Sequence, residues 1–295
     1  MQYRSLLIIP LPVILLLTLT SCEKFSGDQK IPAYINIDSI SLTTEYSVEG
    51  SASHNITDAW IYVDDELIGA FQMPARPPVL KSGIHRITVL PGIKKNGIAA
   101  TRIKYDFYNP IISTMRLQED SVTNLSIRNT TYTATSEFLW KEDFEGVSIS
   151  LDTTGGSLAR LEKTPSGSPM TFEGSHSALV ILDSSHNFFE CMSHNEYEIP
   201  FAPVFLELNF NCSNPLTIGV FLYGTSILYQ VPILTLNVTN AIWKKIYIDL
   251  TTSLNAYSSV SSFRIYMGTY KTGDADQTDL LLDNIKLVTR KSTSE

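Results

Sequence analysis

The sequence predicts an all-β protein. Three observations carry this. From Ile31 onward apolar and polar residues alternate in short runs, as in Ala59-Trp60-Ile61-Tyr62-Val63 and Leu206-Glu207-Leu208-Asn209-Phe210, which is the period of a strand with one buried face. Turn formers separate the runs, among them Asp64-Asp65, Pro77-Pro78 and Pro91-Gly92. No apolar stripe at helical spacing is sustained after the first 30 residues. A length of 295 residues, 43% apolar and 18% charged, suits two such domains with real cores.

The first element is a leader. Arg4 precedes an apolar run from Leu6 to Leu19, and small residues lead to a cysteine at Thr20-Ser21-Cys22. This is the layout of a signal peptide over residues 1–21. The run is short for a bilayer span, which needs about 20 apolar residues, and Pro10 and Pro12 interrupt it. Leu19-Thr20-Ser21-Cys22 resembles the lipobox of bacterial lipoproteins. That resemblance implies cleavage before Cys22, acylation of Cys22, and a membrane partner held through the lipid anchor. It places the protein in the outer membrane, with the cell surface and the periplasmic face both open. Residues 22–30 are polar and read as a tether.

The second element spans residues 31–136. Ala59, Ile61 and Val63 share one face of a strand, and Trp60 and Tyr62 the other. Asp64-Asp65 makes the turn, and Glu66 to Phe71 returns. Pro74, Pro77 and Pro78 then stop further pairing. The pieces YVDDELIG and GIHRITV resemble the PEGA-type module, a small Ig-like sandwich of surface-associated proteins, with Asp65 standing where a turn glycine is usual. The resemblance implies a structural or spacer role.

The third element spans residues 137–289, before a short tail at 290–295. An opening Asp143-Phe144-Glu145-Gly146 and a closing Leu282-Asp283-Asn284-Ile285-Lys286-Leu287 resemble jelly-roll carbohydrate-binding modules of the galactose-binding-like type. The overall arrangement resembles two-domain surface lipoproteins of outer-membrane bacteria.

Catalytic signatures are missing: the sequence holds no G-x-S-x-G, H-E-x-x-H, G-x-G-x-x-G or P-loop motif. His186, Glu190 and His194 would share one strand face, but residues four apart on a strand lie about 13 Å apart, too far for one zinc. A formal charge of −8 argues against a nucleic-acid partner. The better signal is the polar side of the third element's strands: Glu207, Asn209, Phe221, Tyr223, Tyr247, Arg264 and Tyr266. Flat aromatic rings with Asn, Glu and Arg suit a sugar, whose C–H faces stack and whose hydroxyls need polar partners. Glu207, Asn209, Tyr223, Tyr247, Arg264 and Tyr266 are therefore the candidate glycan-binding residues. The same residues also fit a sheet stabilised by cross-strand aromatic pairs.

Asp283 alternates with Leu281, Ile285 and Leu287, which directs its carboxylate to the core side. A buried carboxylate is paired, hydrogen-bonded or metal-bound. The resemblance implies a structural calcium shared between Asp283 and Glu145 or Asp143; capping of backbone N–H groups is the other reading. Folding the chain about Phe201 sets Cys191 opposite Cys212, either as a disulfide or as two buried thiols.

The expected function is non-catalytic glycan binding by a lipid-anchored envelope protein, with a polysaccharide or oligosaccharide as partner. A structural or adhesin-like role with a surface protein partner is the alternative, and a glycan hydrolase a remote one.

Overall fold

The computed structural model describes residues 30–291. The leader, Cys22 and nearly all of the tether lie outside the described residues, as do residues 292–295. No described helix is long and apolar enough to cross a membrane.

The N-terminal half contains β1 (Ala33–Asn36), β2 (Ser41–Leu42), α1 (Tyr46–Glu49), β3 (Asp58–Val63), β4 (Glu66–Gln72), β5 (Pro78–Val79), β6 (Gly83–Lys94), β7 (Arg102–Lys104), β8 (Ile111–Leu117), β9 (Val122–Asn124) and β10 (Asn129–Thr130). A five-stranded sheet runs β4-β3-β6-β7, with β8 also on β6, and a three-stranded sheet runs β5-β1-β9. Ala59, Ile61, Val63, Ile87 and Val89 face Ala33, Ile35 and Ile37 in one buried core. The β3–β4 hairpin turns through Asp64 and Asp65, both at positive φ (50° and 68°). Two consecutive left-handed residues match the twist of a two-residue hairpin, and Asp tolerates that region through local hydrogen bonding. Asp64 also accepts from the His85 ring at 2.6 Å and from the Arg86 backbone N–H at 3.0 Å.

The C-terminal half contains β11 (Ser136–Glu142), β12 (Leu151–Thr153), β13 (Glu162–Lys163), β14 (Ala178–Leu182), β15 (Phe188–Ser193), β16 (Tyr197–Glu198), β17 (Phe205–Cys212), β18 (Leu216–Gly224), β19 (Leu228–Leu236), β20 (Lys244–Asp249), α2 (Thr251–Leu254), β21 (Val260–Tyr270) and β22 (Thr278–Arg290). They form two six-stranded sheets. One runs β13-β14-β22-β17-β20, with β11 on β22; the other runs β12-β15-β21-β18-β19, with β16 on β21. Leu206, Leu208, Ile246, Ile248, Leu282 and Leu287 from the first interleave with Ile218, Val220, Phe263, Ile265 and Met267 from the second. This is the jelly-roll sandwich that the resemblance of the opening and closing segments implies, built from the strands that the alternating pattern predicts.

The N-terminal half packs on the outer face of the first of these sheets, here called the covered sheet. Phe205, Tyr247 and Val288 leave the jelly-roll core and join the N-terminal core beside Tyr105, Phe107, Tyr108 and Tyr132. The rings meet edge-on: Tyr105 lies 4.9 Å from Tyr247 and 5.3 Å from Phe205, centroid to centroid. At the centre Glu207 is fully buried. It accepts from Tyr105 Oη at 2.7 Å and from Tyr132 Oη at 2.9 Å, and it pairs with Lys245 Nζ at 3.4 Å. Lys286 Nζ donates to the Ser51 carbonyl at 2.6 Å and sits 4.9 Å from the centre of the Tyr132 ring. The turn after β6 also caps the edge strand β20: Asn96 N–H donates to the Tyr247 carbonyl at 2.8 Å, and Asn96 Oδ1 accepts from the Asp249 N–H at 2.9 Å. A covered edge cannot pair with another chain.

The hairpin about Phe201 does not form. β15 pairs with β12 and β21, whereas β17 pairs with β20 and β22, so Cys191 and Cys212 belong to opposite sheets. Both are buried free thiols, not a disulfide. Burial pushes the Cys191 thiol up to about 12 and the Cys212 thiol to about 11. Neither thiol is expected to react with a disulfide reagent in the folded protein at neutral pH, and both should titrate in urea without reductant.

Burial also pushes the Lys286 ammonium down to about 7 from 10.5, against the pull of Glu207. Between those values the unfolded chain holds more protons than the folded one, so stability rises with pH. The melting temperature should therefore increase from pH 7 to pH 9. Lys286→Met should flatten that rise, by up to about 1.4 kcal/mol per pH unit for the one proton involved.

Candidate functional site

The second jelly-roll sheet, here the open sheet, turns its outer face away from the N-terminal half. Inward residues Phe189, Cys191, Ile218, Val220, Ile265 and Met267 are core. The residues between them face outward: Phe188 and Glu190 on β15, Tyr266, Gly268 and Tyr270 on β21, and Thr217, Gly219 and Phe221 on β18. Register brings Glu190, Gly268 and Thr217 into one row and sets Gly219 beside Tyr266 in the next.

The two glycines shape this face. Without a side chain at Gly219, the Tyr266 ring lies flat across it; a Cβ there would stand 2.4 Å from the ring and 2.3 Å from the Val231 carbonyl oxygen. Gly268 differs: a Cβ there would meet the Glu190 side chain at 3.6 Å, an ordinary contact. Gln230, from β19, reaches over this low floor and donates to Glu190 Oε2 at 2.7 Å, while Thr154 Oγ1 donates to Oε1 at 2.9 Å. Phe188 and Tyr270 stack at 4.3 Å and 24° to form one wall. Phe221 packs against Tyr266 at 5.0 Å on the other side. The result is a groove of about 560 Å3 with an aromatic wall, a tyrosine floor and a fixed carboxylate–amide pair. Burial pushes the Tyr266 hydroxyl up to about 12, with Glu190 adding to the effect, so it remains a hydrogen-bond donor at any physiological pH.

Tyr223, Arg264 and Tyr266, three of the six glycan candidates, lie on this open face. Arg264 sits 5.9 Å from the Tyr223 ring centre and extends the face beyond Phe221. Glu207, Asn209 and Tyr247 do not. They sit on the outer face of the covered sheet, at 0%, 2% and 1% exposure, beneath the N-terminal half. Strands with equivalent polar sides fall in different sheets of a sandwich, so those sides point in opposite directions and make two surfaces rather than one. Phe188, Glu190, Gln230 and Tyr270 were missed. The outward glycines of β18 and β21 were the available signal, because an interior strand glycine marks a close approach or a gap.

Asp283 is buried, but on the covered sheet's outer side. Asn284 has a φ of 47° and interrupts the β22 alternation, so Leu280 and Leu282 before it and Ile285 and Leu287 after it point inward. Asp283 accepts from Ser177 Oγ at 2.6 Å and from the Asn284 N–H at 2.7 Å. Burial pushes it up to about 7. Glu145 accepts from the Ser175 and His176 N–H groups, both at 2.8 Å. Asp143 accepts from the Tyr46 hydroxyl and the Glu145 N–H. Calcium takes roughly six to eight oxygens. These carboxylates are instead each directed at N–H and O–H donors, and no cluster of three metal-binding side chains exists among the described residues. The donor set does not fit the ion, and the capping reading describes these carboxylates. His186, Glu190 and His194 likewise go separate ways, to Asp183, Gln230 and Asp152.

No family model matches this chain, and no curated protein matches it in sequence. Solved structures do. A carbohydrate-binding module described for promiscuous specificity within the β-sandwich superfamily is 10% identical, with a TM-score of 0.38 over 88% of this chain and 99% of that one. A tandem of family 22 carbohydrate-binding modules from Paenibacillus barcinonensis Xyn10C is 15% identical, with a TM-score of 0.38 over 80% and 74%. The C-terminal family 22 module of Clostridium thermocellum Xyn10B is 14% identical, with a TM-score of 0.37 over 55% and 99%. No residue role transfers at this distance.

Gly219→Ala tests the architecture of the groove. One obstacle to the new methyl group is backbone, so the cost is expected at roughly 1–3 kcal/mol, read as a lower denaturation midpoint with an unchanged m-value.

Proposed function

We propose that this chain is a lipid-anchored envelope protein of an outer-membrane bacterium whose jelly roll binds a glycan on its open sheet, without catalysis. The observation that carries the reading is the groove over Gly268. Its aromatic wall, Phe188 and Tyr270, suits the C–H faces of sugar rings, and the Glu190–Gln230 pair offers hydroxyl groups both an acceptor and a donor. The distant likeness to carbohydrate-binding modules agrees with this but does not bear the weight. Glu190 is the one carboxylate lining the groove, whereas glycoside hydrolysis ordinarily uses two; binding alone is therefore the favoured activity. The lipobox at Cys22 is the sole support for the anchor.

Tyr270 is 64% exposed, so its removal should spare the fold. On a glycan array the protein is expected to give a reproducible hit. Tyr270→Ala and Glu190→Gln should each weaken binding of that ligand roughly tenfold or more, equivalent to about 1.4 kcal/mol, with melting temperatures near the parent. A blank array on folded protein, or hits unchanged in both variants, would overturn the reading.

A further inference from the structure

The five-stranded N-terminal sheet packs one face on the β1 sheet and leaves the other to solvent. Trp60 and Tyr62 on β3 alternate with the core residues Ala59, Ile61 and Val63, so both point outward, and both are partly exposed. Gly92 lies on the adjacent strand β6, two residues beyond the partner of Trp60. It has no side chain, and the indole rests over the gap: a Cβ there would stand 2.2 Å from the Trp60 ring. Leaning over its neighbour strand, the indole lies along the sheet and keeps one side toward solvent.

Cations stand around it. Arg102 and Lys104 point outward from β7, while Ile103 between them packs on the core. Arg102 reaches across to Asp58 Oδ1 at 3.3 Å and donates to Gln72 Oε1 at 3.2 Å. Lys104 Nζ donates to the Tyr62 hydroxyl at 3.2 Å and sits 5.8 Å from the centre of that ring. Farther along the face, Arg86 on β6 and Arg116 on β8 follow in adjacent rows. Asp58 is the one carboxylate that these strands turn outward, and it is fully buried against Arg102. Lys104 and Arg116 are exposed, with no carboxylate within 4 Å among the described residues. A chain of net charge −8 thus carries one locally basic sheet face. An open ring beside an unpaired cation suits a ligand that is flat and apolar on one side and negatively charged at its edge. A uronic acid has both: C–H groups to stack on the indole and a carboxylate to accept from an ammonium. Its polymer repeats them, and Gly92 to Ile84 on β6 offers about 26 Å of track at 3.3 Å per residue. A lipid surface would be met by side chains that protrude, whereas Trp60 lies down on the sheet.

We infer that this face binds an acidic polysaccharide built of uronic acid units, with one ring stacked on Trp60, its carboxylate on Lys104 and a later carboxylate on Arg116. The site lies wholly on the N-terminal half and shares no residue with the open-sheet groove, so it stands independently of the function proposed above.

The test follows the Trp60 indole N–H resonance in the full chain in neutral detergent, assigned by its loss in Trp60→Phe. The probes are oligomers of galacturonate, mannuronate and glucuronate, their methyl esters, polyglutamate, and phosphatidylglycerol vesicles. At least one uronate is expected to shift this resonance saturably, and its methyl ester, which keeps the rings and loses the charge, to bind at least tenfold more weakly. Lys104→Gln should weaken uronate binding roughly tenfold, the value of a hydrogen bond to a charged group, and adding Arg116→Gln should weaken it further. Both side chains are exposed, so the variants should melt near the parent. Tyr270→Ala should leave binding unchanged. No saturable shift with any uronate, an equal response to the esters, polyglutamate or vesicles, or a shift that survives the double variant would overturn the inference.

Discussion

The buried carboxylate of Glu207 is the constraint on which the rest of the molecule depends. An ionised carboxylate without water is costly unless hydrogen bonds and charges compensate it. Here the compensation comes from both halves at once: two tyrosine hydroxyls from the N-terminal half, and Lys245 from the strand beside Glu207. Separating the halves would strand that charge, along with Lys286, which reaches across to Ser51. The N-terminal half is therefore a structural cover for one jelly-roll sheet, and covering that sheet selects the other as the surface available to a large ligand.

Much of the fold was legible in the sequence because alternation is a strong local signal. The strands β3, β17, β18, β20 and β21 bury the aliphatic residues that the alternation assigns to the core. Polar sides were harder to read. Periodicity says which residues share a face of one strand but not which sheet the strand joins, and so Glu207 and Tyr247 were grouped with Tyr223 and Arg264. The aromatic cluster Tyr105, Phe107, Tyr108 and Tyr132 is what buries them, from more than 70 positions away in sequence, as the 75-residue separation of Tyr132 from Glu207 illustrates. Asp283 was misassigned for a different reason. A single residue at positive φ, Asn284, resets the phase of β22, and period-two counting has no way to detect such a reset. The supposed pairing of Cys191 with Cys212 assumed that consecutive strands are neighbours, whereas in this sandwich the chain crosses between sheets from β16 to β17.

Two hollows in the molecule differ in how they are built. The open groove is made by subtraction: glycines at Gly219 and Gly268 remove side chains from a sheet surface, and the neighbouring aromatics lie down or stand around the gap. A cavity at the junction of the two halves is made by imperfect closure, where the β6–β7 turn meets β20. Subtraction keeps the backbone regular and gives a shallow, extended surface suited to a chain. Imperfect closure gives a larger space, about 860 Å3 against about 560 Å3 for the groove, walled by both halves of the chain.

The position of β1 has a mechanical consequence. It is the middle strand of its sheet, hydrogen-bonded to β5 on one side and running parallel to β9 on the other. A pull on residue 30 directed along β1 would enter the structure through this strand. The bonds to β5 and β9, including Tyr34 N–H to the Ser121 carbonyl at 2.8 Å and Leu125 N–H to the Asn36 carbonyl at 3.0 Å, are then loaded in shear and must yield together. A strand at the edge of a hairpin would instead unzip one bond at a time. With Ala33, Ile35 and Ile37 also anchored in the core, β1 is held by side-chain packing as well as by its hydrogen bonds.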